Sequence, residues 1–276
     1  MEFIKMHGAG NDFILFDGTK EKIIDYERLA KDVCERHFGI GADGIMVAEN
    51  SEDYDIKMVY YNSDGSLGEM CGNGIRCFSK FVYEKGLIKK NEIEVETLAG
   101  VKKVWLEVKN HEVQWVKVNM GKAIFSPKDI PILCDGENAL EKSLHIDDKT
   151  IIFSTVLVGV PHTIIFVEDI KKIDINRLGE KIEKHSIFPK KTNVNFVEVK
   201  DKDFIHVYTW ERGAGRTLAC GTGCCSSVVV GHALGKLNKK VKVQAEGGLI
   251  EVELNDNLDI FMKGEAQKIC TGNFEK

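Results

Sequence analysis

The sequence predicts an α+β protein built from two pseudo-symmetric halves, each a mostly antiparallel sheet or barrel around a central helix. Two observations predict this fold class. Motifs of the first half recur in the second half in the same order and at nearly one offset, which indicates an internal duplication. Each half also holds one helical pattern among stretches that alternate polar with apolar or β-branched residues. We therefore expect any active site to lie in the cleft between the halves.

The duplication is clearest around two cysteines. Cys71 begins the motif Cys-Gly-Asn-Gly, and Cys220 begins Cys-Gly-Thr-Gly 149 residues later (220 − 71). Asn62 precedes Cys71 by nine residues, and Glu211 precedes Cys220 by nine. Fainter parallels lie before and after both motifs in the same order. Several parallels in one order at one offset indicate two related halves.

A helix is predicted after each Cys-Gly-x-Gly motif because apolar residues recur there at steps of three and four. Gly86 and Gly235, again 149 residues apart, stand where a C-cap glycine is expected. The helical pattern is carried by Ile75, Phe78, Ser79 and Val82 in the first half and by Cys224, Cys225, Val228 and Val229 in the second.

Most of the remaining chain is predicted to form strands, as in segments 104–108, 113–118 and 204–208. Prolines interrupt regular structure within 120–150, where the halves join. We therefore divide the chain into an N-terminal half, 1–120, and a C-terminal half, 121–262. Late strands near 262–276 are candidates to return to the first half.

Composition excludes several classes of protein. The chain has 276 residues, 43% of them hydrophobic and 29% charged, and a mild net charge of −5 that argues against a nucleic-acid scaffold. The N-terminus does not resemble a secretory signal, and no apolar run approaches the about 20 residues of a membrane-spanning helix. We expect a cytoplasmic protein that binds neither nucleic acid nor membrane.

The eight cysteines then favour reduced thiols. Cys220, Cys224 and Cys225 are clustered, but the Cys-x2-Cys pairs of zinc ribbons are missing, so we expect no metal. Six of the cysteines are predicted to be buried packing residues: Cys34, Cys77, Cys134, Cys224, Cys225 and Cys270.

A cysteine at the start of a helix is well placed for chemistry. The first amides of a helix lack partners within the helix, and the aligned peptide dipoles make that end partly positive. A thiolate is favoured there, so we expect its pKa to fall below the free value of about 8.5. The flanking glycines let a ligand approach, and the free amides can hold a carboxylate.

Two such motifs suggest a two-base racemase or epimerase. If both helix ends grip one carboxylate, the sulfurs of Cys71 and Cys220 flank the attached carbon. One thiolate then removes the α-proton while the opposite thiol delivers a proton to the other face. The electrostatic hold on the carboxylate replaces a pyridoxal cofactor, so we expect no cofactor.

Other interpretations of these residues stay open. Cys71 and Cys220 could form a disulfide, which would mark an oxidised and inactive state. His162 suits a structural histidine as well as a group that tunes a thiol. Glu211 and Arg212 would be surface charges without the repeat, and with it they line the site.

Six motifs carry a resemblance to a known family: Met6–Phe13, Asn62–Ser66, Glu69–Cys77, Thr192–Phe196, Glu211–Gly215 and Ala219–Gly223. With these motifs the sequence resembles the diaminopimelate epimerase family from near residue 1 to near residue 265. The family implies two α/β halves around a cleft, no metal, no cofactor and a homodimer. It implies a small-molecule substrate, LL-diaminopimelate, that is converted to the meso form for lysine and peptidoglycan synthesis.

The resemblance also implies roles for individual residues. Cys71 and Cys220 are the base and acid pair, and His162 and Glu211 adjust their pKa values. Amides of four residues hold the reacting carboxylate: Gly72, Asn73, Gly221 and Thr222. Five side chains hold the amino groups and the far carboxylate: Asn11, Asn62, Asn193, Glu211 and Arg212.

One departure from the family concerns the substrate. Many members carry an asparagine just before the Pro-His pair or three residues earlier, where this chain has Val160 and Leu157. A second hypothesis is therefore a racemase of another amino acid, such as histidine, on the same scaffold. A third, from another class, is a non-catalytic amino-acid binding protein. The sequence assigns no role to Arg216.

Overall fold

The fold is α+β, as the sequence predicted. A computed structural model describes residues 1–20 and 23–275. The chain divides into two compact units. Unit 1 consists of Met1–Asn119 and Lys263–Lys276, and unit 2 of Met120–Met262.

The elements follow in chain order. The first run is β1 (Glu2–Gly8), β2 (Asn11–Asp17), α1 (Tyr26–Cys34), β3 (Gly44–Glu49), β4 (Ile56–Asn62), β5 (Leu67–Gly68), α2 (Gly72–Glu84), β6 (Glu92–Glu96), β7 (Lys102–Lys109) and β8 (Glu112–Gly121). The second run is β9 (Lys142–Ile146), β10 (Lys149–Val158), β11 (Val160–Val167), a 3-10 turn (Ile170–Lys172), α3 (Ile175–Glu183), β12 (Asn193–Asp201), β13 (Phe204–Glu211) and β14 (Gly215–Thr217). The last run is α4 (Gly221–Ala233), β15 (Lys240–Ala245), β16 (Gly248–Leu254), β17 (Ile260–Gly264) and β18 (Gln267–Asn273).

In unit 1 the strands pair in the order β18–β1–β2–β3–β4–β6–β7–β8. The β2–β3 and β4–β6 pairs are parallel and the others are antiparallel, so the sheet is mixed with an antiparallel majority. Helix α2 packs against β1, β2, β3 and also β7. Because β7 is three places along the ladder from β3, the sheet curves around the helix.

Unit 2 repeats this ladder in the order β9–β10–β11–β12–β13–β15–β16, with β11–β12 and β13–β15 parallel. Its register matches that of unit 1 at the offset found in the sequence. The pair Phe13 and Gly44 in unit 1 corresponds to the pair His162 and Asn193 in unit 2. In the same way, Met46 and Tyr60 correspond to Asn195 and Thr209. Helix α4 packs on the inner face of this sheet, against β10, β11, β12 and β16.

Both repeated helices end as the sequence predicted. Gly86 and Gly235 take positive φ angles of 76° and 70°, which a residue with a side chain rarely adopts. The amide of Gly86 donates to Tyr83 O and that of Leu87 to Val82 O, both at 2.9 Å. Gly235 and Lys236 make the equivalent bonds to His232 O and Gly231 O, also at 2.9 Å. This pair of bonds satisfies the last helical carbonyls.

Of the six cysteines predicted to be buried, four are buried, one is half-buried and one is exposed. Cys34, Cys77, Cys224 and Cys225 are buried, the last two within α4, whose small and apolar residues allow burial on nearly every side. Cys134 is half-buried. Cys270 is exposed on β18, because most side chains of that strand face solvent. In the described residues, no helix is long and apolar enough to cross a membrane.

Candidate functional site

Cys71 and Cys220 are the N-cap residues of α2 and α4, two helices of 13 residues each. Both have extended backbones, with φ and ψ of −131° and 123° at Cys71 and −113° and 114° at Cys220. Each sulfur therefore stands beside the first amides of its helix, where backbone N–H groups lack helical acceptors. We call the surroundings of Cys71 and Cys220 the Cys71 half-site and the Cys220 half-site.

In the Cys71 half-site, the amide of Gly74 donates to Cys71 Sγ at 3.4 Å. Asn11 Oδ1 lies 3.4 Å from the same sulfur. The other end of the Asn11 amide is fixed, because its Nδ2 donates to Asp43 Oδ2 at 2.6 Å. A carbonyl oxygen can only accept, so the thiol form of Cys71 donates to Asn11. Asp43 is a positioning residue that the sequence did not reveal.

The other proposed ligands of this half-site are held by local bonds. The Tyr60 hydroxyl donates to Asn62 Oδ1, and Asn62 Nδ2 donates to Ser66 Oγ at 3.0 Å. Asn73 is buried, and its Oδ1 accepts from Arg76 Nη2 at 3.1 Å. The sequence placed Asn62 and Asn73 near the cysteine, and the structure puts both in unit 1 with it.

Arg76 is a buried residue that sequence reasoning missed. Its side chain is 1% exposed, and its Nη1 donates to Gly72 O at 3.1 Å. A Cβ added at Gly8 would lie 3.1 Å from the guanidinium, and one added at Gly264 would lie 2.9 Å from it. Those two glycines therefore make room for Arg76, which in turn braces the Gly72–Asn73 turn. Only tertiary contacts reveal this role, because an arginine four residues into a helix normally faces solvent.

The Cys220 half-site is more enclosed. Cys220 is buried, and its Sγ lies 3.3 Å from Thr222 Oγ1. Burial and then the nearby Glu211 carboxylate raise the pKa of the Cys220 thiol well above its ordinary value, although the Thr222 hydroxyl and the Gly223 amide act in the opposite direction. The prediction that the helix start lowers this pKa is therefore wrong for Cys220. Desolvation and a like charge outweigh the helix dipole here.

His162 contacts the Thr222 hydroxyl, which is also the group next to Cys220 Sγ. Its Nε2 is 2.9 Å from Thr222 Oγ1, and its Nδ1 is 3.1 Å from Asn195 Nδ2. Burial, and then the Arg212 charge, lower the pKa of His162 to about 3, so the ring is neutral. His162 thus contacts the Cys220 thiol through one hydroxyl, and Asn195 is a further residue of this half-site.

Asn193, Glu211 and Arg212 lie together at the ends of β12 and β13. The amide of Arg212 donates to Asn193 Oδ1 at 2.9 Å, and Asn193 Nδ2 donates to Pro161 O at 2.9 Å. Glu211 Oε1 accepts from Thr217 Oγ1 at 2.6 Å. These bonds fix the backbone that carries two charged side chains of opposite sign.

Glu183 on α3 braces the same turn and carried no signal in the sequence. Its side chain is buried, with Oε2 accepting from Trp210 Nε1 at 2.7 Å and Oε1 from the Gly213 amide at 3.2 Å. Trp210 and Gly213 flank Glu211 and Arg212. The carboxylate therefore fixes both sides of the charged turn.

The structure also accounts for Leu157, Val160 and Arg216. Leu157 packs against the hydrophobic core of unit 2, and Val160 begins β11. Arg216 forms a bidentate ion pair with Glu246, at 3.0 and 2.6 Å, and its guanidinium lies over the Tyr208 ring. Arg216 thus has a structural partner. Within residues 1–20 and 23–275, no group of three or more His, Cys, Asp or Glu side chains is placed to hold a metal ion.

The sequence matches one known protein family over most of its length. A sequence profile of the family described as diaminopimelate epimerase matches residues 3–126 and 154–269. The diaminopimelate epimerase of Alkaliphilus metalliredigens is 48% identical over 275 residues, which cover 99% of this chain and 96% of that protein. The protein of the same name from Caldanaerobacter subterraneus is also 48% identical, with 100% of both chains covered. This chain belongs to the diaminopimelate epimerase family.

Solved structures of more distant proteins share the family fold. A probable proline racemase from Agrobacterium radiobacter superposes with a TM-score of 0.74 at 15% identity, over 99% of this chain and 92% of that one. A hydroxyproline epimerase from Agrobacterium vitis gives a TM-score of 0.74 at 14% identity, over 99% and 91%. At this identity the likeness concerns the fold alone. It extends over nearly the whole of this family member.

Proposed function

We propose that this family member is an isomerase that converts LL-diaminopimelate to meso-diaminopimelate, without a pyridoxal cofactor, in lysine and peptidoglycan synthesis. The observation that carries the proposal is the pair of N-cap cysteines in a duplicated scaffold, Cys71 on α2 and Cys220 on α4. Family membership and the names of relatives 48% identical to this chain support the same activity.

In this mechanism the two sulfurs act on opposite faces of one α-carbon. The thiolate of Cys71 takes the α-proton, and the thiol of Cys220 gives its proton to the other face, so the configuration inverts and the proton count is unchanged. The raised pKa of Cys220 supports its role as the acid in this direction. The reverse reaction starts with the proton on Cys71 and the thiolate on Cys220.

The carbanion formed between these steps needs an electrostatic hold. We assign it to backbone amides at the two helix starts, those of Gly72 and Asn73 on α2 and of Gly221 and Thr222 on α4. An α-carboxylate there would meet N–H groups without helical acceptors and the positive ends of two helix dipoles. The remaining ligands assigned to the amino groups and the far carboxylate are the side chains of Asn11, Asn62, Asn193, Glu211 and Arg212.

Replacement of either cysteine tests the two-base mechanism. We expect Cys71→Ala and Cys220→Ala each to abolish epimerisation, because each removes the sulfur assigned to one face. The measurement is incorporation of deuterium from D₂O at the α-carbon together with formation of the other stereoisomer. Cys134→Ala is the matched control, because Cys134 is a half-buried thiol in neither half-site. Near-normal turnover in either active-site variant would exclude the mechanism, as would loss of turnover in the control.

The same experiment distinguishes the alternative functions. A non-catalytic binding protein would show no α-proton exchange with any amino acid. A racemase of another amino acid would exchange that substrate and not diaminopimelate. Leu157 and Val160 motivate this alternative, and Val160→Asn restores an amide for the far carboxylate. If diaminopimelate is the substrate, we expect the variant to lower its KM by about fivefold, the worth of one added polar contact of about 1 kcal/mol.

We also propose that the protein is a cytoplasmic homodimer. A reducing compartment is required because both sulfurs must be free for the reaction. For the dimer, the supporting observation is β18, which pairs with β1 and exposes Ile269 and Cys270. Light scattering coupled to size-exclusion chromatography tests it. A mass near 31.0 kDa, that of one chain, would exclude the dimer.

A further inference from the structure

We propose that Asn195 is a positioning residue that decides which ring nitrogen of His162 carries the proton, and thereby makes the Thr222 hydroxyl donate to Cys220. The inference rests on the proposed function, because it concerns a sulfur assigned to proton transfer. Four hydrogen-bonded contacts in unit 2 carry it. They connect Thr209, Asn195, His162, Thr222 and Cys220 in one chain.

The orientation of the Asn195 amide is the first step. Its Oδ1 accepts from the Thr209 hydroxyl at 3.1 Å, and its Nδ2 lies 3.5 Å from Thr163 O. A backbone carbonyl can only accept, so the amide atom that faces it must be the nitrogen. The NH₂ group therefore also faces His162 Nδ1, at 3.1 Å.

The tautomer of His162 follows from this orientation. Nδ1 accepts from Asn195 and so carries no hydrogen. A neutral imidazole has one N–H, and the lowered pKa of His162 keeps the ring neutral. The hydrogen is therefore on Nε2, which donates to Thr222 Oγ1 at 2.9 Å.

The Thr222 hydroxyl then has its own hydrogen available for Cys220 Sγ, 3.3 Å away. A hydroxyl that donates to sulfur favours the thiolate. With the opposite tautomer, Thr222 would donate to His162 and present only lone pairs to Cys220, which would favour the thiol. The choice of tautomer thus sets the sign of this interaction. A hydrogen bond donated by Thr222 lowers the pKa of Cys220, whereas burial and the Glu211 charge raise it.

The fold does not require this relay. At the positions 149 residues earlier, the first half has Phe13, Met46 and Asn73 in place of His162, Asn195 and Thr222. The paired register is the same in both halves. The other titratable or charged groups that act on Cys220 and His162 are Glu211, Arg212 and Cys224.

Two variants test the relay. Asn195→Leu removes the amide, and Thr209→Val keeps it but removes the hydroxyl that orients it. Thr155→Val is the matched control, because Thr155 is equally buried and its hydroxyl bonds to Thr163 rather than to the relay. Three quantities are measured: the ¹⁵N shifts of the His162 ring, the pH midpoint for alkylation of Cys220 by iodoacetamide, and the kcat of epimerisation.

In the unaltered protein we expect His162 to be in the Nε2–H tautomer. In both relay variants we expect the Nδ1–H tautomer to appear, and the alkylation midpoint of Cys220 to rise by about one pH unit, a tenfold lower rate at a fixed pH below it. The kcat should fall while KM changes little. Thr155→Val should alter neither the tautomer nor the midpoint.

The inference is wrong if the unaltered protein shows Nδ1–H, or if Asn195→Leu leaves both tautomer and midpoint unchanged. If Asn195→Leu does not fold, Thr209→Val decides by the same criteria. The tautomer and the alkylation midpoint need no substrate. Their expected values together with an absence of α-proton exchange would refute the proposed function and leave the inference standing.

Discussion

Substituting alanine at Gly74 and Gly223, one at a time, should destabilise the protein by clearly different amounts although the two positions are equivalent. Both are the third residue of their helix, 149 residues apart. A Cβ at Gly74 would lie 1.8 Å from Met46 Cε, and one at Gly223 would lie 2.2 Å from Asn195 Oδ1. The neighbouring atom must move in either case.

The two neighbours differ in what their movement costs. Met46 Cε is the end of a flexible thioether chain that can take another rotamer. A glycine-to-alanine change in a helix gains about 1 kcal/mol, which offsets part of an overpacking cost of about 1–3 kcal/mol. Asn195 is bonded to Thr209 and His162, and leaving such buried groups unpaired costs about 1–3 kcal/mol each. We therefore expect Gly223→Ala to lower the free energy of unfolding by about 2 kcal/mol more than Gly74→Ala.

Urea unfolding followed by circular dichroism and tryptophan fluorescence provides the measurement. Trp105 and Trp115 report on unit 1, and Trp210 reports on unit 2. Equal losses in the two variants, or a larger loss for Gly74→Ala, would refute the claim that the Asn195 network is rigid and that Met46 yields.

Two further predictions concern charge. Glu211→Gln removes a carboxylate that raises the pKa of Cys220, so the pH midpoint for alkylation of Cys220 should fall. Glu246→Gln, which breaks the ion pair to Arg216, is the control. An unchanged or higher midpoint in Glu211→Gln would count against this role of Glu211. In the folded chain the pKa of His162 is lowered to about 3. Below about pH 6.5 the unfolded chain therefore binds a proton at this histidine that the folded chain does not bind. As the pH falls from about 6.5 towards 3, this group should reduce the free energy of unfolding by about 1.4 kcal/mol per pH unit. His162→Gln should lack that part of the slope in urea titrations from pH 6 to 4.5, and the same slope in both proteins would contradict the assignment.

The sequence predicted what local patterns encode. Helix starts at Cys71 and Cys220 and C-cap glycines at Gly86 and Gly235 depend on neighbours a few residues away, and the structure has all four. The duplication predicted the repeated ladder, because residues at one offset take the same place in it. Asn195 lay inside a motif that carried the family resemblance, yet no pattern indicated that it contacts a histidine ring.

The pKa of Cys220 could not be predicted in this way. A helix start favours the thiolate, and that local rule gave the wrong direction because burial and the Glu211 charge are properties of the folded unit. Arg76 and Glu183 were missed for the same reason. Charged residues in helices usually face solvent, and only tertiary contacts bury these two.

The proposed function makes two demands on the duplicated scaffold, carboxylate binding and proton transfer. Carboxylate binding by helix-start amides needs only backbone geometry, and the two halves share that geometry at Gly72 and Gly221. The proposed proton transfer needs one thiolate and one thiol together, and side chains around each sulfur set which of them holds the proton. Side chains at equivalent positions have diverged: Glu211 adds a charge where the first half has Asn62, and His162 and Asn195 stand where that half has the apolar Phe13 and Met46. The half-sites thus share their backbone and differ in the groups that hold a proton.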